Sequence, residues 1–125
     1  MYLLGYKVIA VDFDGCLCSA AWPGIGEPNA PLICALKDFR KHGHKVILWT
    51  CREGKLLEEA LAWCDNQGLQ FDSVNANLDD MNKVYGNDCR KIGADIYIDD
   101  RAVNIAYCPY DESSVNDLID FVYGD

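Results

Sequence analysis

The chain has 125 residues, half of them hydrophobic, enough for one domain with a real core and too few for a second. An excess of 20 acids over 11 bases leaves a formal charge of −9, the wrong sign for tracking a phosphate backbone, which argues against long nucleic acid as a partner. The seven cysteines are odd in number, contain no C-x-x-C pair and mostly fall in apolar segments, as thiols of a reducing, cytoplasmic compartment do.

The N-terminal stretch MYLLGYK lacks a basic leader and a cleavage site, and Asp12 interrupts the apolar run far short of a membrane span, so a soluble protein without an export signal is expected. Val8 to Val11 form a continuous apolar run, read as a strand buried on both faces of a parallel sheet. It runs into Asp12-Phe13-Asp14-Gly15. Side chains alternate along an extended chain, so Asp12 and Asp14 share one side and reach one site past the strand's carboxyl end. Asp-x-Asp-Gly is also ordinary turn chemistry, and two acids so placed repel unless a cation or a proton intervenes.

Residues 15 to 30 are rich in Gly and Pro and should form a loop over that strand end, with Trp22 either facing what the carboxylates hold or packing the loop down. Pro31 suits a first helical turn, Leu32, Ile33, Leu36 and Phe39 make one apolar stripe, and Gly43 supplies the stop. Val46 to Trp49 read as a second inner strand ending in Thr50, Cys51 and Arg52. A hydroxyl and a guanidinium there are phosphate ligands by type. Leu57, Ala60, Leu61 and Cys64 give a second amphipathic helix, and Phe71 to Val74 a short strand nearer an edge.

Residues 76 to 92 have poor periodicity and suggest a loop with a short broken helix. Ile96 to Ile98 make a third core strand, again ending in acids, Asp99 and Asp100. Ile105 to Tyr107 add a short last strand. Ser114 with Asp117 starts a closing helix whose inner face is Val115, Leu118, Ile119 and Val122.

This alternation predicts an α/β fold, a doubly wound three-layer sandwich around a mainly parallel sheet, as a single domain over 1–125. In such sheets ligands bind at the strands' carboxyl ends, where strand order reverses, so Asp12, Asp14, Thr50, Asp99 and Asp100 are brought to one edge. Four carboxylates in one site call for a divalent cation, and an all-oxygen set suits Mg²⁺. Cys16 and Cys18 with His42 and His44 do not have the spacing of a structural zinc site.

These residues resemble the haloacid dehalogenase (HAD) superfamily of phosphotransferases, and specifically its small capless phosphatases. VDFDG is similar to that superfamily's first motif, ILWT to the second, Lys91 to the third-motif lysine and IYIDD to the fourth. The resemblance implies a Mg²⁺-dependent hydrolase of a small phosphorylated substrate. Asp12 would be the nucleophile that takes up the phosphoryl group, and Asp14 the acid/base. Asp12, the Asp14 carbonyl, Asp99 and Asp100 would hold Mg²⁺, while Thr50 and Lys91, or Lys83 in its place, would hold the phosphoryl oxygens. Cys16 stands where the superfamily usually has Thr or Val. A cysteine nucleophile there is disfavoured, because neighbouring acids raise a thiol pKa. With Cys51, Trp22, Arg52 and Arg101 it is a candidate substrate contact, the two arginines being equally suited to surface salt bridges.

No stretch is long enough for the cap domain that many relatives carry, so the 15–30 loop, a neighbouring subunit of a homo-oligomer or a large substrate must cover the site. Two other classes fit less well or stay open. A response-regulator receiver places its acidic pair at the first strand and its phospho-acceptor mid-chain, unlike the order here. A non-catalytic Mg²⁺- or phosphate-binding module would carry the same residues.

Overall fold

A computed structural model describes residues 5–101 and 112–124. Strand β1 (Val8–Val11) is fully buried, and each of its edges carries a parallel neighbour: β2 (Lys45–Leu48) on one side and β4 (Ile96–Ile98) on the other. Strand β3 (Ser73–Val74) completes the order β3-β2-β1-β4 at the edge beyond β2. The chain thus runs outward from β1 through β2 to β3 and then crosses to β1's other side. The reversal of strand order falls between β1 and β4.

Four helices connect and flank the strands. Helix α1 (Ala30–Lys41) has Pro31 in its first turn and is capped by Asn29, whose Oδ1 accepts from the Leu32 N–H at 3.4 Å. Its buried face is the predicted stripe of Leu32, Ile33, Leu36 and Phe39, with Ala35 added. Helix α2 (Gly54–Asn66) buries Ala60 and Cys64, and the seven-residue α3 (Asp79–Tyr85) buries Met81. Helix α4 (Glu112–Tyr123) begins two residues before Ser114, so the predicted capping position lies inside the helix. The strand expected at Ile105 to Tyr107, and Cys108, lie outside the described residues.

The period-two alternation of β1 divides the core. Ile9 and Val11 pack with Val46, Leu48 and Ile98 against buried residues of α1, α2 and α4. Val8 and Ala10 pack with Ile47 against Leu78, Met81 and Ile92. Each large aliphatic side chain buried this way contributes about 1.5–3 kcal/mol. Among the described residues all six cysteines are free thiols, and no helix is long and apolar enough to cross a membrane.

At the sheet's amino end, side chains complete what the strands leave unpaired. The Asp95 carboxylate accepts from the Val8 N–H at 2.7 Å, and His44 Nδ1 accepts from the Lys7 N–H at 3.0 Å. Accepting there requires a neutral imidazole. Burial, and then the positive charges of Lys7 and His42, hold the His44 pKa below its ordinary value, against a smaller opposing pull from Asp95. A depressed pKa means the unfolded chain binds the proton more readily, so this contribution is full above the unfolded value of about 6.5 and is lost as pH falls. Denaturation at pH 7.5 and pH 5 should show the wild type losing more stability than His44→Asn, which keeps an acceptor and cannot titrate. Parallel losses in the two proteins would remove His44 from this role.

Candidate active site

The carboxyl ends of β1, β2 and β4 open into a cleft of about 380 Å³. Asp12, Asp14, Asp99 and Asp100 line its floor, with Trp22, Trp49, Cys51 and Arg101 around them. The ladders continue past the strands to hold this edge: the Asp12 N–H donates to the Ile98 carbonyl and the Trp49 N–H to the Val11 carbonyl, both at 2.9 Å.

Asp12 is half-buried, and its Oδ1 accepts from the Phe13 N–H at 2.7 Å. Burial raises its pKa to about 7, the Phe13 N–H opposes that rise, and the charges of Asp99, Asp100 and Asp14 add to it. Ligand atoms of Asp12, Asp100 and the buried Cys16 lie within 4.8 Å of one another. Gly15 makes this approach possible. Its φ is +81°, and a Cβ there would lie 2.1 Å from Asp100 Oδ2, so any larger residue would push Asp100 away from Asp12. Asp99 also faces the cleft, but its Oδ1 accepts from the Arg101 N–H at 3.0 Å, and it is Asp100 that clusters with Asp12.

Asp14 is held differently. Arg52 donates to both its oxygens, Nε to Oδ2 at 2.9 Å and Nη2 to Oδ1 at 2.8 Å. The same guanidinium donates to the carbonyls of Pro23 at 3.2 Å and Gly24 at 2.7 Å, tying the loop to the acid. Its carbon sits 4.9 Å from the Phe13 ring centroid and 5.0 Å from that of Trp22. Arg52, read in the sequence either as a substrate contact or as a surface salt-bridge partner, is instead fully buried and committed to Asp14 and the loop. Asn29 fastens the other end of the loop, donating to the Cys16 carbonyl at 2.9 Å.

No protein-family model matches the chain, and no curated protein does. Among solved structures, one titled as the structure of the conserved protein coded by locus from Bacteroides thetaiotaomicron matches at 40% identity, covering 78% of each chain with a TM-score of 0.68. The chain belongs to that protein's family. Membership bears on the fold, and the chemistry is read from the cleft.

Of the residues singled out in the sequence, Asp12, Asp14, Trp22, Cys51, Asp99, Asp100 and Arg101 meet at this family member's cleft. Cys16 lies buried beside Asp12, its Sγ 3.8 Å from the Ile98 carbonyl, and burial followed by the charge of Asp12 pushes its thiol far above the ordinary range. A thiolate is thereby disfavoured. Thr50 follows β2 with its Oγ1 accepting from the Arg52 N–H at 3.1 Å and its own N–H held by Asn75 Oδ1 at 2.7 Å. The lysines are not brought to the cleft. Lys91 is exposed with its Nζ 5.5 Å from the Tyr97 ring centroid, and Lys83 is exposed on α3.

Three features were missed in the sequence. Trp49 was read into the second strand, but β2 ends at Leu48 and the indole is 37% exposed on the cleft wall. Asn75, at φ 52°, holds Thr50 from a left-handed turn after β3. Asn77 is buried, donates to the Cys89 carbonyl at 2.8 Å and accepts from the Gly93 N–H at 2.6 Å, fixing the loop before β4. An Asn just past a short strand is the signal that could have marked the last two.

Proposed function

We propose that this cleft is the active site of a Mg²⁺-dependent phosphomonoester hydrolase of HAD type, on a doubly wound core without a cap. The observation that carries this reading is the meeting of Asp12 and Asp14, at the end of the central strand, with Asp99 and Asp100 at the end of its neighbour. The donor set fits the metal. Carboxylate oxygens of Asp12 and Asp100 converge, and burial, with the charges of Asp99 and Asp100 added to it, keeps the Asp12 pKa raised until a cation offsets it. Asp12 and Asp100, with Asp99 beside them, would hold Mg²⁺, which supplies charge that keeps Asp12 ionised and neutralises phosphoryl oxygens. The loop over residues 15–30 and the run from α2 through β3 to α3 occupy the two intervals where a cap would be inserted, which supports a core without one.

In the first step, which starts from the protonated form of Asp14, Asp12 Oδ2 bonds to phosphorus while the bond from phosphorus to the leaving oxygen breaks, and Asp14 gives that oxygen its proton. In the second, Asp14 takes a proton from water as the water oxygen attacks the phosphorus of the aspartyl phosphate, releasing phosphate and restoring Asp12. Arg52 orients the Asp14 carboxylate for both. Thr50 does not line the cleft; its Oγ1 accepts from the Arg52 N–H and helps fix the turn that carries Arg52.

The placement of Lys91 outside the cleft favours a second reading, a Mg²⁺- and phosphate-binding module without turnover. A panel of phosphorylated metabolites assayed with and without Mg²⁺ separates the two. Hydrolysis that chelation abolishes supports the enzyme, and Mg²⁺ binding with no hydrolysis of any member supports the module.

Both readings share a pH dependence. In metal-free protein a pKa raised to about 7 means the folded state holds the Asp12 proton more tightly than the unfolded chain, so stability falls as pH rises from about 4 through 7. Mg²⁺ should therefore raise the melting temperature more at pH 8 than at pH 5, and at 100 times its Kd should add about 2.7 kcal/mol. An equal shift at both pH values would show that the metal does not compete with the Asp12 proton.

A further inference from the structure

We infer that the cleft takes a phosphomonoester bearing a planar aromatic group, of the size of a nucleoside monophosphate, with the aromatic ring stacked on Trp22. This rests on the phosphatase reading for the phosphate end and on a separate set of residues for the other end. A phosphoryl group displaces only a few waters, whereas a cleft of about 380 Å³ has space for roughly a dozen. The remaining space is walled by indoles. Trp22 is 56% exposed and Trp49 37%, and both line the cleft beside Ala20 and Cys51.

An exposed tryptophan at a loop tip would ordinarily be free to turn. Trp22 is restrained on one side, where the Arg52 guanidinium lies 5.0 Å from its ring centroid, and Arg52 is itself held by Asp14, by the Pro23 and Gly24 carbonyls and by Phe13. The loop was expected either to use Trp22 as a plug or to aim it at the site, and a plug would be buried. What the fold builds is an exposed apolar plate backed by the same arginine that holds the acid. Flat rings stack on such plates at little entropic cost, since an indole has only two rotatable angles and this one is backed on one side. Arg101, exposed on the cleft wall, offers a second planar group for stacking or for a ring carbonyl. The four carboxylates set the other limit. Each additional phosphate would bring negative charge into a wall that already repels it, so a monophosphate is favoured over a triphosphate.

Calorimetric titration of the full chain carrying Asp12→Asn, in Mg²⁺, with adenosine 5′-monophosphate, ribose 5-phosphate and adenosine 5′-triphosphate tests this without requiring turnover. The monophosphate should bind about 10-fold or more tighter than ribose 5-phosphate, within the usual range for stacking one base on an aromatic side chain, and tighter than the triphosphate. Adding Trp22→Ala should bring the nucleotide-to-sugar ratio close to one, and Trp22→Phe should retain most of it. Should Trp22→Ala fail to fold, Trp49→Ala and quenching of the indole fluorescence by the nucleotide provide the same readout. A ratio near one in the Asp12→Asn protein, or a ratio that folded Trp22→Ala protein leaves unchanged, would overturn the inference. The two levels fail separately. If wild-type protein hydrolyses both monophosphates alike, the phosphatase reading stands and the aromatic subsite falls; a Trp22-dependent preference with no hydrolysis by the wild type gives the reverse.

Discussion

Asp12→Asn is expected to abolish turnover of every phosphomonoester, by roughly 10⁴-fold or more, while Asp14→Asn slows it by about 10²–10⁴-fold and does so unevenly. The two acids lie two residues apart, but their surroundings separate their roles. Asp12 has one oxygen on the Phe13 N–H and sits against Asp100, so in the proposed reaction its other oxygen would be the nucleophile, and an amide there has almost no nucleophilicity. Asp14 keeps an acceptor for Arg52 when changed to Asn but can no longer move a proton. Leaving groups that need little protonation, such as aryl phosphates, should therefore lose least in Asp14→Asn, and alkyl phosphates most. Equal losses across such a series would show that Asp14 does not protonate the leaving oxygen.

Arg52→Ala should be the most destabilising single change near the site. Removing one partner of a buried ion pair costs about 3–5 kcal/mol, and the lower end applies here because Asp14 retains some exposure. The Pro23 and Gly24 carbonyls lose their donor and Trp22 loses its support in the same change. For a domain of this length the melting temperature should fall by on the order of 10 °C. Arg52→Lys should recover only part of it, because an ammonium cannot reproduce the bidentate fork. A melting temperature within about 2 °C of wild type for Arg52→Ala, less than 1 kcal/mol produces, would mean that the loop and Asp14 are held by something else.

The order of strands and helices was legible because the apolar runs at Val8–Val11, Val46–Trp49 and Ile96–Ile98 are short, continuous and bounded by polar residues. The acid pair was legible for the same reason, since period-two alternation fixes which side Asp12 and Asp14 share. Trp49 was not, because an apolar run does not show where the strand stops, and a tryptophan continues the run as well as it begins a cleft wall. Arg52 was left open between a substrate contact and a surface salt bridge, and its buried pairing with Asp14 was not legible because that partner lies 38 positions away. Lys91 was chosen on its distance along the chain from Asp99. Spacing says nothing about where a side chain turns, and here it turns to Tyr97.

The proposed chemistry places the phosphoryl group on one atom, so the most direct measurement is rapid quench of Asp14→Asn with an activated aryl phosphate and Mg²⁺, followed by intact-mass analysis and peptide mapping. The expected result is a phosphoenzyme that accumulates, with the label on Asp12. Label on Cys16 or elsewhere, or no covalent adduct while the aryl phosphate is hydrolysed, would contradict it.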